Sequence, residues 1–153
     1  MEKIALLFLT FFIVACSNEP INENSGETGD KKTNQQIVGS WRCVETGYSP
    51  GDKYIVETVP AIPPQTVTFR DDFTMSSTNM ALEKFKFYRI LPDSTIKRDV
   101  IAFLEEDPGM KTLNLADLNT TYSILWDEND LVLNFRWCIE GCHLKFKKIE
   151  KAE

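Results

Sequence analysis

From residue 37 onward, apolar side chains recur at every second position in short runs, and this alternation limits the fold more than any other feature of the chain. Val67 and Phe69 stand two apart, as do Tyr122, Ile124 and Trp126, then Leu131, Leu133, Phe135 and Trp137, then Leu144 and Phe146. A period of two sends successive side chains to opposite faces of an extended segment, which is the pattern of a half-buried strand. Further runs are expected at 37–46, with Trp41 and Cys43 on one face, and at 73–78. Two more follow at 84–91, with Phe85 and Phe87 opposite Lys86 and Tyr88, and at 95–103. Turn-forming clusters separate them: Asp71-Asp72, Pro92-Asp93-Ser94, residues 105–109 and residues 128–130. No long stretch has a helical period, and a single helical turn is expected at 114–119. About eight short strands joined by tight turns predict an all-β fold, an antiparallel sandwich or barrel. Closing an eight-stranded meander into a barrel removes its edges.

The one long connection, residues 47–65, holds Pro50, Pro60, Pro63 and Pro64, so it cannot be an internal strand throughout. Loops of that length are binding loops, lids or mobile connections.

The first residues have a different character. Met1-Glu2-Lys3 precede an unbroken apolar run from Ile4 to Ala15, 12 residues long. A membrane-spanning helix needs about 20, so the run fits the hydrophobic region of an export signal instead. It ends in Ile13-Val14-Ala15-Cys16, which resembles the lipobox of bacterial lipoproteins. That resemblance implies cleavage after Ala15 and a diacylglyceryl group on Cys16, with a second acylation that makes membrane anchoring stable. The alternative is an ordinary secreted protein with a chance cysteine in its signal. No aspartate follows Cys16 directly, so nothing resembles an inner-membrane retention signal. The expected address is the outer membrane, on its periplasmic or its surface side. Residues 17–36 are rich in Asn, Glu, Gly, Ser and Lys, with only Ile21 apolar. Such a stretch buries too little surface to offset its ordering entropy and is read as a tether of about 20 residues. The expected organisation is a signal at 1–15, lipidated Cys16 and tether at 16–36, and one domain at 37–153.

That domain is of single-domain size, and 10 Phe, 4 Tyr and 3 Trp supply a packed core. The net charge of −6 disfavours nucleic acid, which calls for a basic patch. It equally disfavours electrostatic attachment to an anionic membrane surface.

Two segments carry a family resemblance. Gly39-Ser40-Trp41 resembles the Gly-x-Trp of the first lipocalin strand, and residues 138–149 resemble the last hairpin of lipocalin-like lipoproteins from Bacteroidetes, with its Cys-x-Glu-Gly-Cys turn. Thr66-Val67-Thr68-Phe69 and the following acidic turn fit the same pattern, although Phe73 stands where that family tends to have glycine. Residues 96–119 match nothing in it, and their role is open. The resemblance implies an up-and-down barrel whose closed end is sealed by Trp41. It further implies a small apolar ligand at the mouth, with Tyr48, Tyr54, Ile55 and Ile62 of the long loop as a lid. The expected inward rings, among them Phe69, Phe85, Phe87, Tyr122, Trp126, Phe135, Trp137 and Phe146, are bulky enough to fill such an interior. A lipid-anchored module docking on another envelope protein is the alternative, and a monomer is expected in either case.

Cys43, Cys138 and Cys142 remain after lipidation, and an oxidising compartment favours one disulfide among them. Cys138 and Cys142 belong to the hairpin that carries the resemblance, and a three-residue loop brings its flanks within disulfide reach. Closure of the barrel with Ile37 opposite Lys148 offers the alternative of Cys43 with Cys142. These three thiols and His143 have the composition of a zinc site, but outside the cytoplasm thiols oxidise, and no metal or other cofactor is expected. His143 is the only histidine, placed on an outward face beside Lys145. There is no nucleophile elbow or phosphate loop, and Asp71-Asp72 and Glu105-Glu106 read as solvated turns. The expectation is a binding protein and not an enzyme.

Overall fold

The computed structural model describes residues 27–51, 53–139 and 141–150. The apolar run 4–15, Cys16 and the first part of the expected tether lie outside them. Nine strands form one antiparallel sheet: β1 (Gly39–Tyr48), β2 (Ile55–Thr58), β3 (Thr66–Phe69), β4 (Met75–Ser77), β5 (Phe87–Asp93), β6 (Arg98–Leu104), β7 (Thr121–Asp127), β8 (Asp130–Phe135) and β9 (His143–Lys148). Eight of them follow the order β4-β3-β1-β9-β8-β7-β6-β5, and β2 hangs from β1 alone. A bridge between Thr74 and Phe87 brings the two ends of that path together, so the sheet nearly closes into an up-and-down barrel. The strands are strongly staggered. Trp41 lies level with Val67, and Val67 with Ser77, but β5 meets β4 only at Thr74 and runs on past the β3–β4 turn. Such a slant is what a closed barrel of this size requires.

The alternation works as the sequence suggests. Trp41, Cys43, Val67, Phe69, Ile124, Leu131, Leu133 and Phe146 are buried. Each large side chain taken out of water contributes about 1.5–3 kcal/mol. The phase differs in one strand: Phe85 lies in the turn before β5, and Tyr88 and Ile90, not Phe87, face the core. The β5 strand also runs through Pro92 and Asp93, where a turn was expected. The Tyr88 amide bonds across the seam to Phe73, so amides two and four residues on point to the same, open side. Pro92 therefore removes a donor that would have had no partner in the ladder. At the far end of β8 the strand stops at Phe135, which leaves Trp137 outside, 55% exposed.

The β3–β4 turn takes a left-handed residue at Phe73, φ 64°. For a residue other than glycine this costs about 1–2 kcal/mol. The ring offsets part of it by packing on Tyr88, 5.6 Å between centroids, and under the Arg89 guanidinium.

Part of the expected tether is a helix, α1 (Glu27–Ile37). No apolar period announced it, because tertiary contacts hold it. Ile37 is fully buried, Thr33 donates to Asp99, and the Asn34 amide lies 2.8 Å from the Tyr88 hydroxyl. Short helices depend on such contacts more than on propensity. α1 ends beneath Trp41, whose indole N–H donates to the Ile37 carbonyl at 2.7 Å. Trp41 itself is 1% exposed, tilted against Trp126 at 6.0 Å, with the Lys148 ammonium over its ring. This end is called the base. The other end of β1, where Gly47 meets His143 at the start of β9, is called the mouth. The expected helical turn near 114–119 is a 3-10 turn, Leu115–Asp117, with Asn114 as its cap. Among the described residues no helix is long and apolar enough to cross a membrane.

Candidate functional site

A β-bulge in β1 builds the mouth. Trp41 and Cys43 pair with Lys148 and Phe146, but Glu45 pairs with Lys145, so Val44 is an extra residue. The extra residue exchanges the two faces of the strand. Beyond it Thr46 shares the inner face with Leu144, while Glu45 and Gly47 share the outer face with Lys145 and His143.

On the outer face three side chains form a chain of hydrogen bonds. Glu45 Oε1 lies 2.8 Å from His143 Nε2, and Tyr54 Oη meets His143 Nδ1. A carboxylate only accepts, so in the neutral ring the proton sits on Nε2 and Nδ1 accepts from the phenol. Burial against the wall, and then the Glu45 charge, hold the Tyr54 phenol above its ordinary pKa, which keeps it a donor. Gly47 is the floor of this cluster: a Cβ there would overlap both the Tyr54 hydroxyl and the His143 ring. The clasp fastens the end of the β1–β2 hairpin onto β9.

On the inner face lies a pocket of about 240 Å³. Tyr122, Phe135 and Leu144 line it, with Thr46, Tyr48 and Ala81 at its sides. Gly47, Cys142 and His143 complete the wall. Below it the interior is occupied by rings in sequence. Centroids are 5.1 Å apart for Phe69 and Tyr88, 6.2 Å for Phe69 and Phe103, 5.5 Å for Phe103 and Tyr122, and 5.1 Å for Tyr122 and Phe135. Rings at these separations leave no room for a ligand between them. The turn after β4 narrows the barrel further with Leu82 and Phe85, both buried, and is held by buried Asn79, which bonds Gln65 and the Ala81 amide.

The four expected lid residues part company. Tyr48 lines the pocket, and its hydroxyl donates to Glu57 at 2.9 Å. Tyr54 lies on the outer wall in the clasp, and Ile55 is fixed in β2 opposite Tyr48. Ile62, on the proline-rich bulge between β2 and β3, is 86% exposed and lines none of this pocket. Cys138 and Cys142 are joined as a disulfide with Cα atoms 5.6 Å apart, so neither sulfur is free for a metal. The alternative partner Cys43 is a buried free thiol. It stands opposite Phe146, because Lys148 pairs with Trp41 and not with Ile37, four residues from the register that pairing needed. Burial pushes the Cys43 thiol up to about 11.

Outside the mouth, Asp93 and Arg136 form an ion pair that ties the β5–β6 hairpin to the end of β8. Burial opposes the charge on Asp93, but the amides of Thr95 and Ile96 and the guanidinium outweigh it and hold the carboxyl below the usual range. A larger groove crosses the opposite end of β1, where Arg70, Asp71, Lys148 and Glu150 stand beside Val38, Phe69 and Ile149.

Apart from Tyr48, the pocket residues are the part that sequence reasoning did not assign to a site. Tyr122 and Phe135 were read as core, and Thr46, Gly47 and Ala81 carried no signal. Comparison with protein-family models, with characterised proteins and with solved structures finds no match.

Proposed function

We propose that this chain is a lipocalin-like lipoprotein, anchored in the outer membrane through lipid on Cys16, whose barrel binds a small apolar ligand at its mouth without catalysing a reaction. The observation that carries this reading is the pocket over Tyr122, Phe135 and Leu144, above the packed rings of the interior. Apolar walls with a few polar groups are the usual make-up of small-molecule sites. The barrel acts as a monomer on the periplasmic or the surface side and has no part in nucleic-acid binding, in keeping with its net charge of −6.

A second reading, docking on another envelope protein, is favoured by exposed apolar side chains beside the same mouth. Met80 precedes the pocket residue Ala81, and Ile139, wholly exposed, lies within the disulfide loop. Exposed apolar groups of this kind mark contact surfaces.

Native mass spectrometry of the full chain, extracted from its own envelope in mild detergent, separates the two. A retained small molecule supports the ligand reading, and a co-purifying protein on a ligand-free barrel supports docking. The same spectra report a lipid mass on Cys16, and an unlipidated chain would end the anchoring proposal.

A further inference from the structure

Just past the end of β8, Trp137 stands 55% exposed and borders a groove of about 310 Å³, separate from the mouth pocket. Residues 92–95 of the β5–β6 hairpin, residues 114–116 and Arg136 complete its lining. Asp93 is buried, and the amides of Thr95 and Ile96 fix its carboxylate, which in turn holds Arg136. A guanidinium has five N–H donors, and among the described residues Arg136 spends one of them, on Asp93. The Asn114 side-chain oxygen accepts from the Ala116 amide, so its amino group remains for a further bond. The exposed Ser94 hydroxyl is open to solvent. The groove therefore combines an uncovered aromatic ring with hydrogen-bonding groups from three side chains. Its one cation and one anion are bonded to each other, and Lys97, Arg98 and Asp99 line an adjoining groove, not this one. An apolar ligand would strip water from the polar groups without replacing it, and a small ion would leave the Trp137 ring uncovered. A sugar ring meets both demands, because its C–H face packs on an aromatic face and its hydroxyls donate and accept. One six-membered ring fills a cavity of about 150 Å³, so about 310 Å³ takes such a ring with its hydroxyl groups.

We infer that this groove is a saccharide site, in which one pyranose ring stacks on Trp137 while its hydroxyls bond the Arg136 guanidinium, the Asn114 amino group and the Ser94 hydroxyl. The inference stands independently of the ligand reading of the mouth and of the anchor on Cys16.

The test uses the full chain in dodecylphosphocholine, a detergent without a sugar head group. Proton–nitrogen spectra follow the tryptophan indole signals during titration with methyl glucopyranoside, methyl galactopyranoside and methyl mannopyranoside. Sorbitol, which has the hydroxyls but no ring, and cyclohexanol, which has a ring and a single hydroxyl, are the controls. At least one pyranoside is expected to shift the indole signal that is missing from Trp137→Ala, and neither control is expected to match it. Saturation transfer to that sugar is expected to report an affinity about tenfold or more lower in Trp137→Ala and about threefold lower in Ser94→Ala. Both side chains are exposed, and circular dichroism checks that the variants keep the fold. No shift with any of the three pyranosides overturns the inference, as does a control that binds equally well. An affinity unchanged in either variant overturns the site as drawn.

Discussion

The two ends of the barrel meet the same problem, how to finish a ring of strands, and solve it in opposite ways. At the base the central ring is both covered and bonded. Trp41 is covered by α1 and Trp126, and its one polar atom is bonded to Ile37. At the mouth the partners lie on the outside. Tyr54, His143 and Glu45 satisfy one another on the outer wall, while the inner wall keeps an open pocket over Tyr122, Phe135 and Leu144. The base is built as a core, and the mouth keeps an open pocket. The single extra residue of the β1 bulge makes the difference, because it decides which side chains of β1 face inward at each end.

This contrast is open to mutation. Trp41→Ala is expected to cost about 3–5 kcal/mol in urea unfolding, as for large core aromatics cut to alanine. A loss under about 1 kcal/mol would mean the base is not sealed. Gly47→Ala at the mouth forces Tyr54 and His143 off the wall and is expected to cost about 1–3 kcal/mol. If the clasp alone is at stake, Gly47→Ala in a Tyr54→Ala, His143→Ala background recovers most of that loss.

The Asp93–Arg136 pair gives the contrast a pH axis. The folded carboxyl titrates lower than the unfolded one, near 4. Its contribution is therefore present above that value and is lost as pH falls through the folded pKa. Thermal unfolding between pH 2 and 6 should show a steeper acid loss in the wild type than in Asp93→Asn, and parallel curves would remove the pair from the account. The smallest effect is expected at Tyr122→Phe, which should leave stability within about 0.5 kcal/mol of wild type, since no bond is lost. A clear destabilisation would reveal a hidden partner for that hydroxyl.

What was legible in the sequence follows from what alternation can carry. Period two identified β3, β7, β8 and β9 and the inward set Trp41, Val67, Phe69, Leu131, Leu133 and Phe146, because each strand has one wet and one dry face. It missed β2, whose Val56 is 52% exposed and whose residues add a short ribbon outside the ring. It missed α1, in which Ile37 is the only large apolar side chain and the rest of the support comes from Tyr88 and Asp99. The clasp and the pocket were beyond reach for another reason. Both depend on the register of β1 with β9, which a bulge and the stagger of the barrel set, and a count from the chain ends placed it four residues away. One-residue shifts swap faces, so Glu45 and Gly47 could not be assigned to the outer wall in advance.

The most direct test of the sealed base and receptive mouth is a proton–nitrogen spectrum of the full chain in detergent, titrated with 4-fluorotoluene as a small apolar probe and followed at the indole N–H of its three tryptophans and at the amides of Thr46, Tyr122 and Leu144. The account requires the mouth amides to shift while the Trp41 indole signal stays in place and resists exchange with deuterated water. Movement of the Trp41 signal on titration, or its rapid exchange, would contradict it.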